Sequence, residues 1–335
     1  MKRPLRIGLI ILATLAVVIG GGFAYFYAAT AALPERNFAS RGPNGLWLGH
    51  RWVGKIQQQQ SYNRLAARLR RHRLTDIYVH VGPLKANGRI DPTSVPAAKT
   101  LLRQLRAGTS RLRLYAWIGQ VEASGGGPLD LSKPSVRVNI WRTAGRFLEL
   151  GFDGIHYNIE PSTGNPHFLE LLAATRRMTR RLGKTLSVAA DELEPLPGLA
   201  WLTRLLGTKG GYWSASFYRA VIDNVDQVAV MTYDTLLPAA WMYRGFVAWQ
   251  TAQVRRLARG RAQLLIGVPT YEDRRLSFDP GAENVRSALT GVRKGIGIIE
   301  KDDLTGFGVA IYADWTTDAK EWRTYRELWL GAKAR

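Results

Sequence analysis

One short stretch of the sequence, residues 152–160, places three groups suited to acid–base chemistry or hydrogen bonding at alternate positions. His156, Asn158 and Glu160 alternate there with apolar residues. Alternate side chains of a β-strand point to opposite faces, so these three groups share one face. A carboxylic acid in an enclosed site is a typical general acid or base. The stretch therefore predicts a strand whose polar face lines an active site; the alternative is a half-buried strand whose polar face meets water.

Other acidic and aromatic residues lie at or near the ends of β-prone runs elsewhere in the chain. Carboxylates beside aromatic platforms are typical of carbohydrate sites. The five histidines show neither HxH nor HExxH spacing, and the chain has no cysteine. The sequence therefore predicts no metal site and no cofactor. The remaining candidates are Asp191 and Glu192, Tyr233 and Asp234, Tyr271 and Glu272, and Tyr312 and Asp314, with Trp117, Trp241 and Trp315 nearby.

The elements that must position these residues recur as eight β-prone apolar runs, about 30–45 residues apart, the spacing of repeated strand–helix units. This repeat predicts an α/β fold, a (β/α)8 TIM barrel, over residues 45–335. An open doubly wound sheet is less consistent, because no GxGxxG or Walker sequence follows a run. Active sites of such barrels form at the carboxyl ends of the strands, where the candidates lie. The runs are Leu46–Val53, Asp76–Val81, Leu112–Ile118, Phe152–Glu160, Leu186–Ala190, Gln227–Asp234, Gln263–Tyr271 and Phe307–Ala313.

Helical patterns fill the intervals between the runs. Asn165 and Pro166 are typical of a helix start, and Gly183 of a helix end. Residues Ser135–Leu150 repeat this pattern and are followed by Gly151. The intervals therefore predict the outer helices of the barrel.

The amino-terminal residues have the pattern of a membrane anchor. Three basic residues lie within residues 1–6 and precede an uncharged, mostly apolar run over residues 7–33. The run exceeds the about 20 residues that cross a bilayer, and the preceding positive charge predicts a cytoplasmic amino terminus. We expect a cytoplasmic tail (1–6), a transmembrane signal anchor (7–33), a linker (34–44) and a barrel on the outer side of the cell membrane. The alternative is secretion after signal cleavage near Ala31, where small residues are typical of a cleavage site.

The net charge of +21 raises the question of an anionic partner. The basic residues mostly fall on helix faces, such as 64–71 and 176–181, without the interleaved aromatic residues of a nucleic-acid site. We therefore expect no nucleic-acid partner. Anionic lipid or a cell-wall polymer suits an exported, anchored domain better, and a solvated helix face is the simpler alternative.

Four stretches resemble one enzyme family. Residues 153–160 (DGIHYNIE) resemble the DGxDxDxE strand of glycoside hydrolase family 18 (GH18), the family of chitinases and endo-β-N-acetylglucosaminidases. Residues 231–234 (MTYD) resemble the MxYD of its sixth strand, and residues 267–271 (GVPTY) are similar to the GxPxY of its seventh. Residues 308–312 (GVAIY) resemble its eighth strand, where the family usually has Trp in the place of Tyr312. The resemblance extends over roughly residues 45–330 and is that of a divergent member.

The resemblance implies a retaining, substrate-assisted mechanism in which the sugar's own 2-acetamido oxygen attacks the anomeric carbon. Glu160 would be the general acid that protonates the leaving oxygen. Asn158 would orient the acetamido group, and Tyr233 would help to hold it. The implied substrate-binding residues are Asp234 for sugar hydroxyls, Tyr312 for the apolar floor under the ring, and His156, Trp117, Tyr271 and Asp153.

Two positions depart from the family pattern. His156 stands where the family has its second Asp, and Asn158 stands where it usually has Asp. An Asn can accept the acetamido N–H but brings no negative charge to a developing cation. A protonated His156 would oppose that cation, whereas a neutral one would buttress Asn158; we expect the structural role.

The leading hypothesis is a membrane-anchored, exported glycosidase that acts on a chitin-like or peptidoglycan-like polymer. A second version uses two carboxylates, Glu160 and Glu272, whose carboxyl groups would then lie about 5–5.5 Å apart. A third is a catalytically weakened or inactive glycan-binding barrel, since fold does not imply function.

Overall fold

The computed structural model describes residues 20–22, 25–108, 111–196, 211–299 and 304–331. Eight parallel strands form a closed barrel in chain order, and β1 closes the ring against β8, with Gly45 opposite Ala310. This confirms the predicted (β/α)8 fold. The strands are β1 (Gly45–Leu48), β2 (Asp76–Pro83), β3 (Arg113–Val121), β4 (Gly154–Glu160), β5 (Thr185–Ala190), β6 (Gln227–Val230), β7 (Gln263–Pro269) and β8 (Phe307–Tyr312).

Helices surround the strands. The predicted start at Pro166 is confirmed, and the Asn165 side chain caps it by accepting from the backbone N–H groups of His167 and Phe168. Within the described residues, the α-helices that follow β1 are α1 (Arg51–Gly54), α2 (Gln59–Arg71), α3 (Val95–Gly108), α4 (Pro134–Leu150), α5 (Pro166–Arg181), α6 (Ala215–Ile222), α7 (Ala240–Ala258), α8 (Val285–Ile298) and α9 (Ala319–Leu328).

The alternation in β4 separates two cores. Ile155, Tyr157 and Ile159 point outward into the large core between the strands and the helices. The Tyr157 hydroxyl is hydrogen-bonded to Thr175 of α5 at 3.0 Å. The opposite face points into the barrel, which large side chains such as Trp47 fill. The predicted orientation of the strand is therefore confirmed.

Two strands end four or more residues earlier than the sequence predicts. The first run continues to Val53 in the sequence, but β1 ends at Leu48 and residues 51–54 form α1, which buries Trp52 and Val53. The run Gln227–Asp234 ends as a strand at Val230, and the backbone turns to a φ of +64° at Asp234. After β1, the Asp314 carboxylate accepts from the Gly49 N–H at 2.9 Å and from the Trp52 indole at 2.8 Å.

The predicted cytoplasmic tail (1–6) and most of the predicted membrane-spanning segment (7–33) lie outside the described residues. In the part of the chain that the structure describes, no helix has the length and apolar character needed to cross a membrane.

The described end of that segment packs against the barrel. Residues 25–31 are helical, and Tyr27 is buried with its ring edge-on to Phe246 of α7. The Thr30 hydroxyl donates to the Gly245 carbonyl at 3.1 Å. Residues 34–44, predicted as a linker, run along the barrel: the Arg36 N–H donates to the Arg293 carbonyl at 3.3 Å. The folded unit therefore includes contacts from residues that precede β1.

Candidate active site

A cavity of about 210 Å³ opens at the carboxyl ends of the strands, where the barrel rule places active sites. It brings together six of the predicted site residues, contributed by β4, β8 and the segments that follow β6 and β7. The cavity is lined by Asn158, Glu160, Met231, Tyr233, Asp234, Tyr271, Asp273, Arg275, Tyr312, Trp315 and Thr316.

The surroundings of Glu160, the last residue of β4, shift its pKa toward the protonated form. Burial raises the pKa of its carboxyl, the charge of Asp234 raises it further, and a hydrogen bond from Asn158 partly offsets both. A raised pKa favours the protonated form that a general acid needs. The position and electrostatics of Glu160 are those of a general acid.

Asn158 lies on the same face of β4, and the two polar atoms of its side-chain amide have different surroundings. Its amide group is hydrogen-bonded to Glu160, whereas its Oδ1 is buried without a hydrogen-bond partner among the described residues. A buried acceptor without a partner is uncommon and costs free energy unless a ligand supplies a donor. The site is therefore built to accept one N–H group close to Glu160.

Three tyrosines form one wall of the cavity. The Tyr233 and Tyr312 rings are stacked at 5.3 Å and 26°, and the Tyr271 ring stands edge-on to both. Trp315, nearly half exposed, extends this wall at 5.6 Å from Tyr312. Aromatic faces of this kind bind the apolar faces of sugar rings.

Asp234 enters the cavity from a backbone conformation that non-glycine residues rarely adopt. Glu283, which is 1% exposed, holds that conformation. Its carboxylate accepts from the Asp234 N–H at 2.8 Å, and from the Thr235 N–H at 3.1 Å and hydroxyl at 2.9 Å. Sequence reasoning missed Glu283 because it lies in a loop before α8, with no local pattern that relates it to β6.

A second buried carboxyl lies near Glu160. Asp191, which follows β5, accepts from the Trp213 indole at 2.9 Å and from the Thr163 hydroxyl at 3.3 Å. Burial, and then the charge of Glu160, raises the pKa of Asp191 to about 7. Two neighbouring carboxyls disfavour simultaneous ionisation, so Asp191 helps to retain a proton in this region.

His156 lies inside the barrel and does not line the cavity. Its Nε2 accepts from the Trp47 indole at 3.2 Å, its Nδ1 is bonded to Ser187 Oγ at 2.8 Å, and its ring stacks on Tyr78 at 4.0 Å. Ser187 in turn donates to Gln227, so the proton of His156 is on Nδ1. Burial lowers its pKa to about 3. His156 is therefore neutral, fully buried and outside the lining of the cavity, as the structural role requires.

Two other residues that the resemblance implies, Asp153 and Trp117, lie away from the cavity. Asp153 lies before the start of β4, at the opposite end of the barrel, where it pairs with Arg106 at 3.0 Å and accepts from the Leu114 N–H at 2.9 Å. It cannot reach a sugar at the cavity. Trp117 packs beside Tyr312 inside the barrel without lining the cavity.

Glu272, the second carboxylate of the alternative mechanism, is exposed and outside the cavity. Its negative charge adds instead to the effect of burial in raising the pKa of Glu321, at the start of α9. A two-carboxylate mechanism with Glu160 and Glu272 has no support in this arrangement.

The structure adds lining residues that the strand-end rule did not include. Asp273 and Arg275 come from the loop after β7, and the Arg275 guanidinium lies 5.8 Å from the Tyr271 ring centroid. They were missed because they lie several residues beyond the strand end. Within the described ranges, no three His, Cys, Asp or Glu side chains come together as a metal site.

The burial of Glu283 predicts a measurable pH dependence of the free energy of unfolding. Burial raises its pKa from 4.5 to about 7, so the folded chain binds this proton more tightly than the unfolded chain. The resulting stabilisation is present below pH 4.5 and is lost as the pH rises through about 7. Relative to Glu283→Gln, the wild-type unfolding free energy should fall by about 2 kcal/mol between about pH 5.5 and 8, at about 1.4 kcal/mol per pKa unit.

Urea denaturation of both proteins across this range checks the prediction. Glu149→Gln is the matched control, because it makes the same change at an exposed position and should leave the slope unchanged. Parallel pH curves for wild type and Glu283→Gln would contradict it.

No family model matches the sequence, and no curated protein matches it. Solved structures match over most of the chain. A chitinase from Chromobacterium violaceum is 16% identical, with a TM-score of 0.55, covering 86% of this chain and 98% of that one.

Two further structures have the same fold. The GH18 chitinase from Cycas revoluta in complex with (GlcNAc)3 is 14% identical, with a TM-score of 0.58, covering 86% of this chain and 99% of that one. The spore cortex-lytic enzyme SleL from Bacillus cereus is 13% identical, with a TM-score of 0.55, covering 88% of this chain and 75% of that one. With its closed eight-stranded barrel, the chain has the fold of these chitinases and of SleL.

Proposed function

We propose that this protein is a divergent GH18-type glycoside hydrolase that cleaves glycans containing N-acetylhexosamine. One observation carries the proposal: an enclosed Glu160 with a raised pKa stands beside Asn158, whose Oδ1 has no hydrogen-bond partner among the described residues. A proton donor and an N–H acceptor on adjacent sites of one strand face are what a 2-acetamido sugar requires. The shared fold and the four resembling motifs support the same conclusion.

In the proposed reaction, Glu160 donates its proton to the glycosidic oxygen as the bond to the anomeric carbon breaks. Asn158 Oδ1 accepts the acetamido N–H and turns the acetamido oxygen toward that carbon, with which it forms a new bond. Water then attacks the anomeric carbon, gives a proton back to Glu160 and releases the acetamido oxygen. Tyr233 holds the acetamido group, Asp234 binds sugar hydroxyls, and Tyr312 lies under the ring.

The neutral state of His156 bears on the cationic intermediate. A charged imidazolium below the sugar would repel positive charge, but burial lowers the pKa of His156 to about 3. Asn158 supplies no negative charge; Asp234 lines the cavity, and Asp191 interacts with Glu160. Asp273 also lines the cavity, and the carboxylates of Asp234 and Asp273 are the lining groups that can stabilise the intermediate.

Two polymers are candidate substrates. The Cycas revoluta chitinase is bound to (GlcNAc)3, and SleL is described as cortex-lytic. We therefore propose chitin-like or peptidoglycan-like glycans. The assay measures the release of reducing ends from N-acetylglucosamine oligomers and from peptidoglycan by the full chain. Saturable binding of these glycans without turnover would contradict hydrolysis and favour the glycan-binding barrel.

The barrel is proposed to remain tethered outside the cell membrane by its amino-terminal segment. The basic residues 1–6 and the apolar run after them support an anchor. Thr30, within the small residues of the alternative cleavage site, is bonded to Gly245, and Tyr27 is buried against α7. These contacts favour retention of the segment over cleavage.

The intact mass of the membrane-fraction protein tests retention. The expected mass is that of residues 1–335, and the mass of a chain that begins after Ala31 would contradict retention of the segment. Gly245→Val is the informative variant: a side chain there would meet the Tyr27 carbonyl, since an added Cβ would lie 2.1 Å from it.

A further inference from the structure

A second cavity lies at the opposite end of the barrel from Glu160, where the strands begin. Its volume is about 820 Å³, within the range of pockets that hold small ligands. It is bounded by the carboxyl ends of α2 and α3 and by residues 40–42, which precede β1. It therefore shares no residue with the candidate active site.

Five arginines line this cavity, and none of the described residues that line it is acidic. Guanidinium groups stay charged at any physiological pH, and their planar donors match phosphate oxygens in pairs. Five such groups around one pocket repel each other unless an anion lies between them. We name this cavity the arginine pocket, after Arg41, Arg70, Arg73, Arg106 and Arg111.

Two of the five arginines are fixed by the fold. Arg70 donates to the Gly108 carbonyl at 2.7 Å, and Arg106 pairs with Asp153 at 3.0 Å. Both lie in the last turn of a helix, where a cation also offsets the helix dipole. That role accounts for their presence without a ligand.

A position at the end of a helix does not account for the other three arginines of the pocket. Arg41, Arg73 and Arg111 lie outside the helices, are exposed, and form no ion pair with a described carboxylate. Arg73 has a φ of +48°, a conformation rarely adopted by non-glycine residues. Three arginines without an ion pair to a described carboxylate therefore line one pocket of ligand size.

We propose that the arginine pocket binds a ligand bearing phosphate groups, whose oxygens are taken by Arg41, Arg73 and Arg111. A phosphodiester or phosphomonoester group is the common chemistry, supplied either by a lipid headgroup or by a soluble phosphate compound. The site acts independently of the proposed hydrolase activity, because it lies at the other end of the barrel.

Calorimetric titration of the full chain, in a neutral detergent, with inorganic tripolyphosphate tests the proposal. Saturable binding is expected in the wild type. The triple variant Arg41→Gln, Arg73→Gln, Arg111→Gln should bind about 10²-fold more weakly or worse, since each lost charge-assisted hydrogen bond contributes about a factor of ten.

A matched control separates this site from general surface charge. Arg142→Gln, Arg146→Gln, Arg177→Gln removes the same charge from exposed positions outside the pocket and should retain wild-type affinity. Equal weakening in both triple variants, or no saturable binding to the wild type, would overturn the proposal.

A second pair of titrations identifies the source of the phosphate. Tighter binding of dihexanoyl phosphatidylglycerol, below its micelle concentration, than of glycerol 3-phosphate indicates a lipid headgroup. The reverse order indicates a soluble phosphate compound.

Discussion

Glu160→Gln is expected to lower kcat for N-acetylglucosamine oligomers by about 10²–10⁴-fold, the usual contribution of a general acid. Gln fills the same space but has no proton to donate to the leaving oxygen. KM should change little, because the sugar contacts at Tyr233, Asp234 and Tyr312 remain. Steady-state release of reducing ends by both proteins gives the comparison.

Two controls show whether the loss reflects proton donation. Glu272→Gln makes the same substitution at an exposed position outside the cavity and should keep wild-type turnover. An aryl glycoside with an acidic leaving group needs less protonation, so Glu160→Gln should lose far less activity on it. Equal losses on both substrates would contradict the role assigned to Glu160.

His156→Asp is expected to lower the free energy of unfolding by about 3 kcal/mol or more, although Asp is the residue usual in the resembling family. The side chain at this position is fully buried beside Tyr78 and Trp47, with no cation among its hydrogen-bond partners. A carboxylate there would be desolvated without a compensating charge. Urea denaturation at pH 7 measures the loss.

His156→Asn is the control for charge. It removes packing but stays neutral and can still accept from Trp47 and donate to Ser187. Its loss of stability should be about 1–2 kcal/mol, the range of ordinary core substitutions. If His156→Asp were as stable as the wild type, the barrel interior would have to accommodate a charge that this structure leaves unpaired.

The presence of His156 in place of the family's Asp is therefore coupled to the side chains around it in the barrel interior. His156, Ser187 and Gln227 form a hydrogen-bonded row across β4, β5 and β6, and Gln227 continues it to Asp76 at 3.0 Å. Replacing one member with the family-typical residue does not restore the family arrangement. Asn158, in contrast, faces the cavity, so its substitution affects the proposed chemistry directly.

Local patterns in the sequence determined the barrel and the position of Glu160. Alternation at period 2 fixed which face of β4 points inward, because it depends only on backbone geometry. The eight repeats fixed the closed sheet, and Asn165 fixed the start of α5, because a cap acts within one turn of helix. These features depend on residues close together in the chain.

Only the tertiary structure decided which polar groups meet. It placed Asp153 at the far end of the barrel, buried His156 in a neutral state, left Glu272 outside the cavity, and brought Glu283 to the backbone of Asp234. Each outcome depends on burial and on partners distant in sequence, which no local spacing encodes. Desolvation and pairing then set the charge of each group, and therefore the chemistry that the inward face of β4 can perform.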